Sequence, residues 1–326
     1  MLKRFANRNP LRLAAAALML AGGLLAFASS SVAADKLRVG KAVPEAFSFV
    51  PLDVGMRKGI FQKYGLDIES IAFAGDAKMQ QAMAGDGIDL ALGSGPGMAF
   101  IMKGSPVKAI AAMAGPPLLL TLIVLPDGPK TVADLKGKRV SVSTAGSLTA
   151  WLVAETSNQQ GWGHDGIIVT PMGATPPQIA ALTRKDIDGM VTDIATALTL
   201  EKEGKARILV RFGKLVKDFH IHVIFATNKA IAARPADLSN FVKGWLESIA
   251  FMRKNKAETV KIAADVMHKD EAIAARTYDE LMPMFSDDGK FNAKAMAVLT
   301  KSYVDLKILT EEPDPKKLYT EQFLPK

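Results

Sequence analysis

Four short stretches hold the residue types with the most chemistry to offer: residues 43–49, 93–97, 143–149 and 192–194. Each follows an apolar run of strand length and opens a segment with helical spacing. Each therefore sets polar side chains beside the unpaired N–H groups of a helix start. Ser94, Gly95, Ser143, Gly146, Ser147 and Thr149 supply hydroxyls and flexible backbone at these points, and Phe47 and Phe49 add apolar surface. Hydroxyls beside helix N-terminal amides favour an anionic group such as a carboxylate or sulfonate. Taken singly, Ser94, Ser147 and Thr149 serve equally well as helix caps with water outside. The grouping of all four loops is what points to a ligand. Asp193 reads first as the N-cap before Ile194; facing a ligand, it would accept from an amine or hydroxyl and oppose a purely anionic one. Trp151, one turn beyond Ser147, either walls the pocket or packs against its own half of the chain.

Enzymatic chemistry has few footholds. No Gly-x-Ser-x-Gly elbow, phosphate-binding Walker loop, His-Glu-x-x-His pair or dinucleotide fingerprint occurs. Only Glu45 and Asp193 stand where a cleft acid or base would be needed. His220 and His222 share one strand face but lack a third ligand at metal-binding spacing, so a partly exposed strand face is expected there and no metal. Met79, Met83, Met98 and Met102 fall at helical spacing among apolar neighbours and are expected in the core. The chain has no cysteine, which excludes disulfides, thiolate metal sites and a lipid-modified N-terminal cysteine.

The elements that position the four loops repeat. Gln81-Ala-Met-Ala-Gly-Asp-Gly-Ile-Asp-Leu reads as a helix end, a tight turn and a strand, and Gln178-Ile-Ala-Ala-Leu-Thr-Arg-Lys-Asp-Ile-Asp-Gly-Met-Val repeats the unit. Ile88 and Ile187 stand 99 positions apart. One supersecondary unit used twice at a domain-sized interval predicts two similar α/β lobes, with parallel strands covered by helices. The expected division is a first lobe from residues 35–125 together with 226–326, and a second from 126–225. The strand over 118–125 is the expected crossing outward, and the strand over 219–226 the crossing back. Two connections permit hinge closure, and strand C-termini should face the cleft. Past Pro235 the spacing predicts helices, with Phe241, Trp245, Ile249 and Met252 on one face.

The chain has 326 residues, 49% of them hydrophobic, and a net charge of +8. Lys3, Arg4, Arg8 and Arg12 carry four of those charges within residues 1–34, which contain no acid. The rest has only a mild excess without interleaved aromatics, so nucleic-acid binding is not expected. A basic segment, an apolar run over 13–27 and small residues before Asp35 form a cleavable signal peptide over 1–34. The run is too short to span a membrane. The expected mature protein is exported and freely diffusing in a periplasm.

Together, Lys58-Gly-Ile-Phe…Tyr64-Gly-Leu-Asp67, residues 81–89, Asp134-Leu-Lys-Gly-Lys-Arg-Val140, Gly146-Ser147 and Ile187-Asp188 resemble the periplasmic solute-binding proteins of ATP-driven (ABC) importers in the nitrate/sulfonate/taurine group. That group is related to the NMT1/THI5-like thiamine-precursor family. The similarity runs over about residues 37–210. It implies a two-lobed periplasmic-binding-protein fold, type II-like, each lobe a mixed sheet flanked by helices. It implies a monomer without cofactor that closes on a small anion or zwitterion and delivers it to an inner-membrane permease with its ATPase. The family's ligand loops fall here on Ser94, Ser147, Thr149 and Asp193. An enzyme on the same scaffold, such as a lyase or pyrimidine-forming enzyme, is the alternative. The cysteine-rich motif of the eukaryotic pyrimidine synthases is absent, and none of the four loops carries a dominant cation.

Overall fold

Strand-length apolar runs closed by glycine turns set the architecture. The computed structural model describes residues 36–73, 75–145 and 147–326. Residues 1–35, among them the expected signal peptide, together with Ala74 and Gly146, lie outside them. In chain order the strands are Leu37–Lys41 (β1), Ile68–Ala72 (β2), Leu90–Ser94 (β3), Val107–Ala114 (β4), Leu120–Val124 (β5), Arg139–Val142 (β6), Ile168–Pro171 (β7), Gly189–Asp193 (β8), Arg207–Arg211 (β9) and His222–Thr227 (β10). The helices of eight or more residues are Val50–Arg57 (α1), Asp76–Ala84 (α2), Leu148–Gln159 (α3), Thr175–Thr183 (α4), Ile194–Lys202 (α5), Pro235–Lys254 (α6), Lys256–Met267 (α7), Glu271–Leu281 (α8) and Ala293–Asp305 (α9). Gly59, at φ +68°, separates α1 from a single turn, Ile60–Lys63.

Two five-stranded mixed sheets result, in the orders β2-β1-β3-β10-β4 and β7-β6-β8-β5-β9. In the first, β1 pairs parallel with β2 and β3, while β10 runs antiparallel to β3 and β4. In the second, β6 pairs parallel with β7 and β8, while β5 runs antiparallel to β8 and β9. Each sheet thus holds one reversed strand, and it is the strand laid down as the chain arrives from the other lobe.

This corrects the expected division at 125/126 and 225/226. β5 belongs to the second sheet and β10 lies wholly in the first, so the crossings occupy residues 115–119 and 212–221. Continuous apolarity marks a strand as central, but the same pattern suits either sheet. Five residues link β4 to β5. The exit edge of β4 and the entry edge of β5 must therefore lie within about 20 Å of each other. Those edges also carry the C-termini of β1 and β3 in one lobe and of β6, β8 and β9 in the other.

In the first lobe α1 packs on α6. Phe61 stacks on Phe241 at 5.2 Å, in a slot that exists because Gly55 and Gly244 lack side chains: a Cβ there would lie 2.3 and 2.7 Å from the Phe61 ring. The α6 stripe of Phe241, Trp245, Ile249 and Met252 is buried as its spacing predicts. Met79, Met83 and Met98 are in the core, whereas Met102, at the end of a short helix, is 38% exposed. A smaller cluster around Ile123, Ala181, Leu182, Ile187 and Met190 packs beneath the second sheet. Helix α8 packs on both lobes. It meets α7 and the turn Phe47–Phe49 on one side and α5 on the other. Charged pairs follow the same seam: Arg211–Glu280, Arg276–Glu201 and Lys202–Asp270.

Candidate functional site

The second lobe supplies the densest group of hydroxyls. β6 ends at Val142, and the chain turns through Ser143 and Ser147 into α3. Thr149 Oγ1 is the hub. It accepts the Ser143 N–H at 3.1 Å, lies 3.1 Å from Ser143 Oγ and 2.7 Å from Ser147 Oγ. Ser147 Oγ also donates to the Thr144 carbonyl and accepts the Ala150 N–H, which makes it the N-cap of α3. Ser143, Ser147 and Thr149 remain half-exposed. The cap uses the one proton of Ser147 Oγ and one of its lone pairs, so further hydrogen bonding at this loop falls to Ser143 Oγ, whose only side-chain partner among the described residues is Thr149 Oγ1. Gly146, the remaining candidate of this loop, lies outside the described residues.

Asp193, at the end of β8, takes the Thr196 N–H at 2.9 Å and caps α5. In the first lobe Ser94 ends β3. Its Oγ accepts the Gly97 N–H at 3.2 Å, and its own N–H donates to Asp76 Oδ1 at 2.9 Å. Gly95 has a different task from the expected ligand contact. Its N–H donates to the Ile221 carbonyl and its carbonyl accepts the Tyr303 hydroxyl. A Cβ at this position would sit 1.8 Å from the His220 carbonyl oxygen. The glycine lets the returning crossing approach, and its amide is already used.

The aromatic candidates are spent on packing. Phe47 is buried against Tyr278 and Phe285, with ring centroids 6.4 and 6.1 Å away, and Phe49 is buried edge-on to His222 at 4.9 Å. Neither ring is open as a pocket wall. Trp151 is buried too, but not within its own lobe alone: it stacks on Phe219 of the second crossing at 5.3 Å, and its Nε1–H donates to Asp305 of α9 at 3.1 Å.

The expected half-exposed histidine face is corrected. His220 and His222 are both buried: His222 starts β10 between β3 and β4 beside Phe49, and His220, in the crossing just before it, is covered by Phe291. Burial pushes the His222 imidazole down to about 3 and that of His220 to about 4, and the His220 Nε2 accepts the Asn292 N–H at 2.9 Å. Among the described residues, no three carboxylate or imidazole groups gather as they would to hold a metal ion.

Three charged features escaped sequence reasoning. Lys41, 6% exposed at the end of β1, is held by both oxygens of Asp53 at 3.1 and 3.0 Å. Burial raises the Asp53 carboxyl and the Lys41 charge opposes that rise. The Asp76 carboxyl is likewise raised by burial, against the Ser94 N–H donor. Arg211 at the end of β9 meets Glu280 of α8. All three lie at strand C-termini or helix starts, and that position is the signal the sequence carries for them.

A Brucella abortus (strain 2308) protein whose name provisionally calls it a binding protein is 22% identical over 278 residues, covering 82% of this chain and 84% of its own. The periplasmic aliphatic sulphonate binding protein SsuA of Escherichia coli superposes with a TM-score of 0.74 at 19% identity, over 87% of this chain and 92% of that one. The desulfurization enzyme DSZB superposes with a TM-score of 0.62 at 14% identity, over 89% and 97%. At such identities the likeness concerns the fold: the two-lobed architecture of periplasmic binding proteins, which carries both binders and enzymes. Residues 46–259, from the loop after β1 into α7, match the NMT1/THI5-like family, and the chain belongs to it.

Proposed function

We propose that this protein is the periplasmic solute-binding component of an ATP-driven importer. It takes a small organic anion or zwitterion between its lobes and presents it to an inner-membrane permease. What supports this reading is the hydroxyl hub of Ser143, Ser147 and Thr149 at the strand C-termini of one sheet and Ser94 at a strand C-terminus of the other, with two short crossings joining the sheets. Solute that touches both edges favours the closed arrangement by its differential affinity for it. The SsuA likeness supports the solute class, and the basic and apolar start of the chain supports export.

An enzyme on this scaffold is the second reading, favoured by the DSZB likeness. It needs an acid or base in the cleft; Asp193 is engaged as a helix cap, and Glu45 is exposed on the loop after β1. Native mass spectrometry of the protein purified without refolding tests the proposal. A small molecule that co-purifies, is released unchanged by unfolding and persists on prolonged incubation supports a binder. Its conversion to a product without added permease supports the enzyme and rejects the binder.

A further inference from the structure

The four hydroxyl-rich loops lack a cation, but the same edge of the second sheet has one. β9 runs antiparallel to β5 and hence parallel to β6 and β8, so Arg211 leaves the sheet at the edge where Asp193 does. Leu120 of β5 pairs with Asp193 and Thr121 pairs with Arg211. The two residues are thus separated by two strand spacings, roughly 10 Å. A cavity of about 290 Å³ lies against Arg211, lined also by Leu118, Lys214 and Glu280. Leu118 belongs to the first crossing and Lys214 to the second, so the cavity sits where the lobes join. Its volume is near the lower end of small-ligand sites.

Arg211 is already engaged. Its Nε–H donates to Glu280 Oε2 at 2.8 Å and its Nη2–H to Oε1 at 2.7 Å, with the two side chains 31% and 28% exposed. This two-bonded fork is the geometry in which an arginine recognises a ligand carboxylate. Arg211 comes from the second lobe and Glu280, on α8, from the first. Lys214 is exposed and makes no ion pair among the described residues. The lining holds two cations against one carboxylate, Glu201 nearby being paired with Arg276, and Leu118 offers an apolar side.

We propose that Arg211 and Lys214 anchor the anionic group of the solute, and that Glu280 is a built-in competitor for that seat. In the empty protein the Glu280 carboxylate fills the fork and ties the lobes. An incoming carboxylate or sulfonate takes over Arg211, its hydrocarbon lies toward Leu118, and Glu280 is released to solvent. One oxyanion replaces another on the same guanidinium, so the exchange asks for little new desolvation. The inference rests on the binding-protein reading above and names the group that recognises the charge.

Calorimetric titration of the full chain with butanesulfonate and with butanoate tests it. Glu280→Gln should bind at least one of the two probes about tenfold more tightly than the wild type. Arg211→Gln should abolish that binding, and Lys214→Gln, which touches no ion pair, should weaken it several-fold. If Arg211→Gln fails to fold, Lys214→Gln and Glu280→Gln carry the test. Equal or weaker binding by Glu280→Gln overturns the competitor, as does the absence of binding of both probes in wild type and Glu280→Gln alike. The broader reading fails separately: an intact co-purified solute alongside an unresponsive Glu280→Gln would leave the binder standing and remove only this inference.

Discussion

At the scale of single residues, Thr149 and Gly95 separate two kinds of importance. Thr149 Oγ1 gathers three groups of its loop, so Thr149→Val keeps the shape and removes the hub. We expect solute affinity to fall at least tenfold while stability drops by about 1 kcal/mol, the cost of a typical hydrogen bond. Calorimetry and urea unfolding on one preparation read both, and undiminished affinity would take the hub out of the site. Gly95 was expected to touch ligand, but its surroundings give it a structural task. An added Cβ would meet the His220 carbonyl at 1.8 Å, whereas at Gly97 the nearest atom would be 3.5 Å away. Gly95→Ala should therefore cost more than 2 kcal/mol by forcing backbone shifts, and Gly97→Ala well under half of that. Equal unfolding midpoints for the two variants would refute the close-approach account.

At the scale of elements, most of the fold was legible. The C-terminal helices appear past Pro235, where the spacing predicts them, because capping residues such as Asp270 and Asn292 and an apolar stripe at helical spacing mark them locally. The parallel units were legible for the same reason: turn, strand and helix alternate at a fixed pitch. What was not legible was which sheet β5 and β10 join, since both faces of each are buried and no local signal distinguishes the lobes. The site was half legible. Hydroxyl-rich loops stand out in a sequence, while Arg211 becomes meaningful only when Glu280, 69 positions away, closes on it. The packing of α6 on α1 gives a prediction at this scale. Phe61 fills a slot that two glycines leave open, so Phe61→Ala should lose about 3–5 kcal/mol, seen as a lower urea midpoint. A loss under 1 kcal/mol would mean that the slot collapses around the smaller side chain.

At the scale of the whole molecule, the two buried histidines couple stability to acidity. Each has an ordinary value of 6.5 and is held near 3 or 4 by burial. Folded, they stay neutral; unfolded, they take a proton once the pH drops below about 6.5. The unfolded chain then binds more protons, so stability present above that pH is lost progressively as the pH falls toward 4. The raised carboxyls of Asp53 and Asp76 pull the other way, so a variant, rather than the raw curve, isolates the histidines. Unfolding free energy measured from pH 7 to 4.5 should fall less steeply in His222→Asn than in the wild type. Parallel curves would show that His222 is not held neutral in the fold.

The two crossings touch at both ends. Gly115 and Ile221 share a hydrogen bond at the first lobe, and Leu118 lies against Gly213 at the second. Two ribbons fastened together in this way behave like the spine of a book. The covers can swing, but they cannot slip along each other. On the proposed binding role, the Ser94 and Thr149 rims would then meet in the same register at every swing, and a solute's length as well as its charge would decide which molecules let the pages shut.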